Sequence, residues 1–156
     1  SLTDMKKSID TMSLLQASTN NLQALSLIGR SVVAQGNIVN YAGTSENLCF
    51  TLDEAAQTVT VKIYDNTGSV VRTEEMKNLS AGSAQFTWDG HDDEGRVVSQ
   101  GKYYFAVSAE DYEGNYVAAT TYAKGEVTGV RYDEGTTYLT IGNKEVSLAD
   151  IQEIGK

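Results

Sequence analysis

Thr58-Val59-Thr60-Val61-Lys62-Ile63-Tyr64-Asp65-Asn66-Thr67-Gly68-Ser69-Val70-Val71 is the stretch from which the fold can be read. Val59, Val61 and Ile63 alternate with Thr58, Thr60, Lys62 and Tyr64. One apolar row therefore faces one side of a sheet, because successive strand side chains point to opposite faces. The run stops at Asp65-Asn66-Thr67-Gly68. Asp at the first place of a type I turn accepts hydrogen bonds from its own backbone, and Gly at the fourth supplies the positive φ that a side chain resists. Val70-Val71 then restarts a strand. This is a hairpin whose loop ends in a bulge.

The same pattern recurs along the chain. Asp92-Asp93-Glu94-Gly95 precedes Val97-Val98, and Asp111-Tyr112-Glu113-Gly114 precedes Tyr116-Val117. Tyr103, Phe105, Val107 and Ala109 alternate with Tyr104, Ala106 and Ser108. Leu139 and Ile141 alternate with Tyr138 and Thr140, and Gly142-Asn143 reads as a two-residue hairpin before Lys144–Leu148. About seven short strands fit between roughly 48 and 121, a spacing that predicts a β-sandwich. The flanking strands, about 31–47 and 121–149, are each too short to close a core. Together they could form a small barrel with the sandwich inserted between them.

The N-terminal segment follows a different period. Leu2, Met5, Ile9 and Met12 fall at helical a/d spacing, and Leu15, Leu22 and Leu25 form a shifted stripe. This predicts a helix over 1–28, capped by Ser1 or Thr3, ended by Gly29, and broken or bent near Ser18-Thr19-Asn20-Asn21. Two heptads do not hold together alone in water. The helix needs a partner, either its own chain or another copy or protein. Leu2, Met5, Ile9, Met12 and Leu15 are the residues expected to make that contact.

Composition narrows the function. The chain has 156 residues, room for one or two compact units, and a net charge of -9. Such a surface repels nucleic-acid phosphate and anionic membranes. The acidity is concentrated: residues 1–48 balance at three acids and three bases, whereas 49–118 hold 12 acids against 5 bases. No run approaches a membrane span, and no signal peptide shows. The chain starts with Ser and contains no proline. The first residue suggests a fragment.

No cofactor or catalytic machinery is expected. His91 and Cys49 are the single residues of their kinds. Neither has an elbow motif or an electropositive setting that would make a nucleophile. Asp89, Asp92, Asp93 and Glu94 read as a solvated turn, with a cation such as calcium as the sharper reading; the twelve-residue calcium-loop spacing is not met. Trp88 is expected to face the sandwich core, with sugar stacking as the alternative. Cys49 is expected to be a buried thiol. Tyr103, Tyr104, Tyr112, Tyr116 and Tyr122 suit half-buried strands, and some suit protein contacts.

Three blocks carry a resemblance to a known family. Leu25-Ser26-Leu27-Ile28-Gly29-Arg30-Ser31-Val32 is similar to the segment that opens the folded part of the bacterial flagellar hook-capping family, also called basal-body rod modification proteins. Phe86-Thr87-Trp88-Asp89-Gly90-His91-Asp92-Asp93-Glu94-Gly95 with Gly101-Lys102-Tyr103-Tyr104-Phe105 resembles that family's immunoglobulin-like insert. Gly125-Glu126-Val127-Thr128-Gly129-Val130, Tyr138–Gly142 and Val146–Ile151 resemble its closing segment.

The resemblance implies a mainly β fold. A fibronectin type III/immunoglobulin-like β-sandwich (48–120) would be inserted into a discontinuous tudor-like β-barrel (29–47 plus 121–156), behind the N-terminal helix (1–28). It also implies a non-enzymatic scaffold that guides hook subunits at the distal end of the growing hook, self-associates into a cap oligomer and leaves through the flagellar export channel. No nucleic acid or membrane insertion is implied. The chain would be the C-terminal portion, lacking a longer flexible N-terminal region. The alternative is an exported sandwich module that binds carbohydrate or a surface ligand, with or without calcium.

Overall fold

Alternation of buried and exposed positions shapes most strands that follow the N-terminal helix. The computed structural model describes residues 2–155, without the side chains of Asp10 and of residues 13–18. Helix α1 (Leu2–Ser26) leads into β1 (Ser31–Gln35), β2 (Ile38–Tyr41) and β3 (Glu46–Leu52). Strands β4 (Ala56–Tyr64), β5 (Val70–Leu79), β6 (Gly82–Trp88), β7 (Gly101–Glu110) and β8 (Tyr116–Val117) follow. The chain closes with β9 (Ala119–Glu126), β10 (Gly129–Asp133), β11 (Thr136–Ile141), β12 (Lys144–Ser147), the short 3-10 turn η1 (Leu148–Asp150) and β13 (Ile151–Ile154).

Two antiparallel sheets face each other. One runs β13-β1-β9-β3-β6; the other runs β10-β11-β12-β2-β7-β4-β5, with β8 added beside β7. Between them lies a core of Leu48, Phe50, Val59, Val61, Ile63, Trp88, Phe105 and Val117. Trp88 is fully buried, as its sequence context predicts. Its ring packs 5.3 Å from Tyr41 and 5.2 Å from Tyr103, and its indole N–H donates to the His91 carbonyl at 3.0 Å. That bond removes the cost of a buried unpaired donor.

A second, smaller core gathers Ala24, Leu27, Val32, Ala34, Ala123, Val127, Leu139, Ile141 and Val146. All of these lie outside residues 48–120. The two distant ends of the chain therefore pack on each other. They do not close a barrel among the described residues, because each flanking strand extends one of the two sandwich sheets instead. β1 and β13 join β9 in one sheet, and β12 joins β2 in the other. Val39 and Tyr41 of β2 meanwhile pack into the larger core.

The turns form as the sequence predicts. In each Asp-x-x-Gly turn the Asp Oδ1 accepts two backbone N–H groups: Thr67 and Ser69 at Asp65, Glu94 and Arg96 at Asp92, Glu113 and Asn115 at Asp111. Gly68, Gly95 and Gly114 take φ of 88°, 80° and 80°. Ile141 pairs with Lys144 around Gly142-Asn143.

The helix differs from expectation in two respects. It runs unbroken through Ser18-Thr19-Asn20-Asn21 to Ser26. Ser, Thr and Asn each cost only tenths of a kcal/mol in a helix, too little to break it without Gly or Pro. Thr3 sits inside the helix and does not cap it, and Ser1 lies outside the described residues. Gly29 ends the helical stretch at φ 89°, its N–H donating to Val127 at 2.8 Å.

Candidate interaction surface

Among the described side chains of α1, those of the last turns dock on the body. Ala24 and Leu27 are buried in the second core, and Asn21 Oδ1 accepts the Thr137 hydroxyl at 3.0 Å. The predicted apolar stripe faces elsewhere. Leu2, Met5, Ile9 and Met12 are 82%, 62%, 60% and 68% exposed. Leu22 and Leu25, from the shifted stripe, are exposed as well. The side chain of Leu15 lies outside the described residues. The structure thus brings four of the five predicted contact residues into one uncovered row, and the described residues of both apolar stripes stay exposed.

The acidic turn after Trp88 is organised by arginines. Arg72 sits 3.5 Å from Asp89, 4.0 Å from Asp93 and 3.2 Å from Glu74. Arg96 reaches Asp92 at 3.4 Å and pairs with Glu94 at 2.6 Å. The carboxylates are also engaged by backbone: Asp89 Oδ1 accepts from His91 N–H and Asp93 Oδ1 from Thr73 N–H. The His91 N–H, seconded by the His91 and Arg72 charges, holds Asp89 below its ordinary pKa. The Arg96 N–H, together with Glu94 N–H and the Arg96 charge, does the same for Asp92. Arg72 thus serves Asp89 and Asp93, and Arg96 serves Asp92 and Glu94. Among the described residues no three His, Cys, Asp or Glu side chains gather as metal ligands.

The other singled-out residues take varied positions. Cys49 is half-buried in β3 rather than fully enclosed, because its row faces outward between Tyr122 and Gln85. Tyr103 belongs to the core; Tyr104 and Tyr122 are half-buried on outer sheet faces; Tyr112 and Tyr116 are 75% and 77% exposed.

A buried polar network escaped sequence reasoning. Glu145 accepts from Arg131, from the Asn40 amide at 2.6 Å, and lies 3.9 Å from Lys102. Burial pushes its carboxyl up, but the Asn40 and Arg131 hydrogen bonds outweigh this and hold its pKa below the ordinary value. Glu46 accepts from Asn143 at 2.6 Å and lies 3.6 Å from Lys144. Alternation in Lys144-Glu145-Val146 carries no signal that a strand from elsewhere covers Glu145.

Comparison with known proteins decides the family. The sequence model of the FlgD Ig-like domain matches residues 36–113, half of the chain. The chain belongs to the FlgD family. The Escherichia coli basal-body rod modification protein FlgD is 36% identical over 141 residues, which is 85% of this chain and 60% of that protein. The chain thus spans less than two thirds of the curated relatives it matches. FlgD from Xanthomonas campestris, whose structure is described as giving insight into hook capping essential for flagellar assembly, is 25% identical. It superposes with a TM-score of 0.64 over 86% of this chain and 98% of its own. FlgD from Pseudomonas aeruginosa is 27% identical, with a TM-score of 0.63 over 83% and 98%. The family's immunoglobulin-like sandwich and the N-terminal helix are both present in this member.

Proposed function

We propose that this chain is part of a non-enzymatic scaffold of flagellar hook assembly. It caps the distal end of the growing hook and guides hook protein subunits into place, having left the cell through the flagellar export channel. Membership of the FlgD family supports this, as does the hook capping ascribed to the Xanthomonas relative. The observation that carries the mechanism is the uncovered row of Leu2, Met5, Ile9 and Met12, on a helix that docks on the body through Asn21, Ala24 and the adjoining Leu27. An isolated helix of this length gains most of its stability from packing one apolar face. The row is therefore a contact for self-association into a cap oligomer.

We also propose the division into a helix (1–28), a flanking unit (29–47 plus 121–156) and a sandwich (48–120), which the separate smaller core supports. Light scattering on the full-length protein and on its Met5→Glu, Ile9→Glu variant tests the contact. The expected result is loss of the oligomer with the β-body still folded. An unchanged particle size and an unchanged hook-assembly phenotype would sink it.

A further inference from the structure

We propose that the far tip of the sandwich docks a protein segment that presents arginine. β7 runs about 30 Å from the flanking strands to this tip. There the turns β3–β4, β5–β6 and β7–β8 meet. Asp53 N–H donates to the Ala118 carbonyl at 3.0 Å, and the Tyr112 hydroxyl donates to Asn78 Oδ1 at 2.8 Å. Between the turns lies a cavity of about 200 Å³ lined by Ala55, Ala56, Asn78, Leu79, Ser80 and Tyr112. Tyr112 and Tyr116 stand out beside it, both about three-quarters exposed. Two aromatic rings this open are what binding surfaces use as anchors. The Asn78 bond holds the Tyr112 ring in place before any partner arrives, which reduces the entropy lost on binding.

Charge identifies the occupant. Asp53, Glu54, Glu110, Asp111 and Glu113 surround the tyrosines, and none has an ion pair among the described residues. There is no Lys or Arg from residue 103 to 123. Lys77, across from Thr58 in register, is already held by Glu75 at 2.7 Å and the Thr58 hydroxyl at 3.1 Å. The turn at 89–94, built by the same Asp-x-x-Gly rule, is neutralised by Arg72 and Arg96. Among the described residues the tip has no such counter-charge. A guanidinium fits both parts of this surface, since its plane stacks on a tyrosine face while its edge donates to carboxylates. A lysine ammonium satisfies the charge but stacks less well. The tip is distinct from the helix row, and its test does not depend on the role in hook assembly.

The test uses the full chain, labelled with ¹⁵N, titrated with an acetylated peptide of alternating glycine and arginine and with its lysine counterpart. Amide shifts should cluster at residues 53–55, 78–80 and 110–118. The arginine peptide should bind about three- to fivefold more tightly than the lysine peptide. Tyr112→Ser with Tyr116→Ser should abolish that preference, while Tyr112→Phe, which keeps the ring, should retain most of it. Glu54→Gln with Glu113→Gln should weaken both peptides. Shifts spread evenly over all acidic turns, equal affinity for the two peptides, or concentration-dependent shifts of the tip amides with no peptide present would each overturn the proposal. The last result would assign the tip to a second copy of the chain.

Discussion

Glu145 of β12 takes both Nε and Nη2 of Arg131 on a single carboxylate oxygen, at 2.9 and 2.7 Å. Its other oxygen receives the amide of Asn40 in β2. Lys102 of β7 lies 3.9 Å from that same oxygen, so the cluster reaches from the flanking strands to the sandwich. Glu46 makes the reciprocal link, since it starts β3 and is held by Asn143 and Lys144 from the β11–β12 hairpin. Two nearly buried carboxylates thus pin the junction at which the separate cores meet.

Replacing one partner should cost more than removing the pair. Glu145→Gln leaves Arg131 partly unpaired beside a buried surface, and a loss of about 2–4 kcal/mol is expected. Arg131→Met with Glu145→Met should lie closer to the parent than the sum of the two single variants. Urea unfolding of the four proteins in a double-mutant cycle measures this coupling. Additive single and double variants would show that the pair carries no energy of its own.

Acid should destabilise the fold in a defined window. Glu145, Asp65, Asp92 and Asp111 all have native pKa values below their ordinary ones. For Glu145 burial acts upward, and the Asn40 and Arg131 hydrogen bonds prevail. For Asp65 the leading cause is the Thr67 hydroxyl, and for Asp92 and Asp111 it is the backbone N–H of Arg96 and Asn115. A depressed carboxylate contributes stability that is complete above the unfolded pKa, about 4, and is lost as pH falls through the native value. The urea midpoint should be level from pH 7 to about 5 and should drop below 4, less steeply in Glu145→Gln than in the parent.

Two glycines should differ sharply when changed to alanine. Gly68 has φ 88° with open space around its missing Cβ, so Gly68→Ala costs only backbone strain, about 1 kcal/mol. Gly90 has φ 79° and a Cβ there would run into the Tyr41 ring, which packs on Trp88. Gly90→Ala should cost about 3 kcal/mol or more, strain and overpacking together. Thermal melts and the near-ultraviolet dichroism of Trp88 separate the two; equal losses would contradict the packing of Tyr41.

Much of the β-architecture is legible in the residues because the interactions that write it are local. An Asp that reaches its own i+2 and i+4 N–H groups, and a Gly that accepts positive φ, need only their near neighbours. The apolar alternation of Val59-Val61-Ile63 likewise needs only the pleat. The bend expected where the apolar stripe weakens at residues 18–21 does not form, because a gap in an apolar stripe does not interrupt backbone hydrogen bonding and Ser, Thr and Asn continue a helix at little cost.

By itself the sequence settled the N-terminal helix, the alternating strands around Val59 and Phe105, the Asp-x-x-Gly turns and the burial of Trp88, since each rests on contacts within a few residues or on a single period. That the helical row stays uncovered was decided by the tertiary structure. Tertiary structure alone decided that the flanks extend both sheets instead of closing a barrel, that Glu145 meets Arg131, and that Arg72 and Arg96 neutralise one acidic turn while the tip stays bare. Those outcomes depend on pairings between strands more than a hundred residues apart, such as Val32 with Ile154. Register is chosen by burying all the apolar rows at once, and no short window of sequence contains that sum.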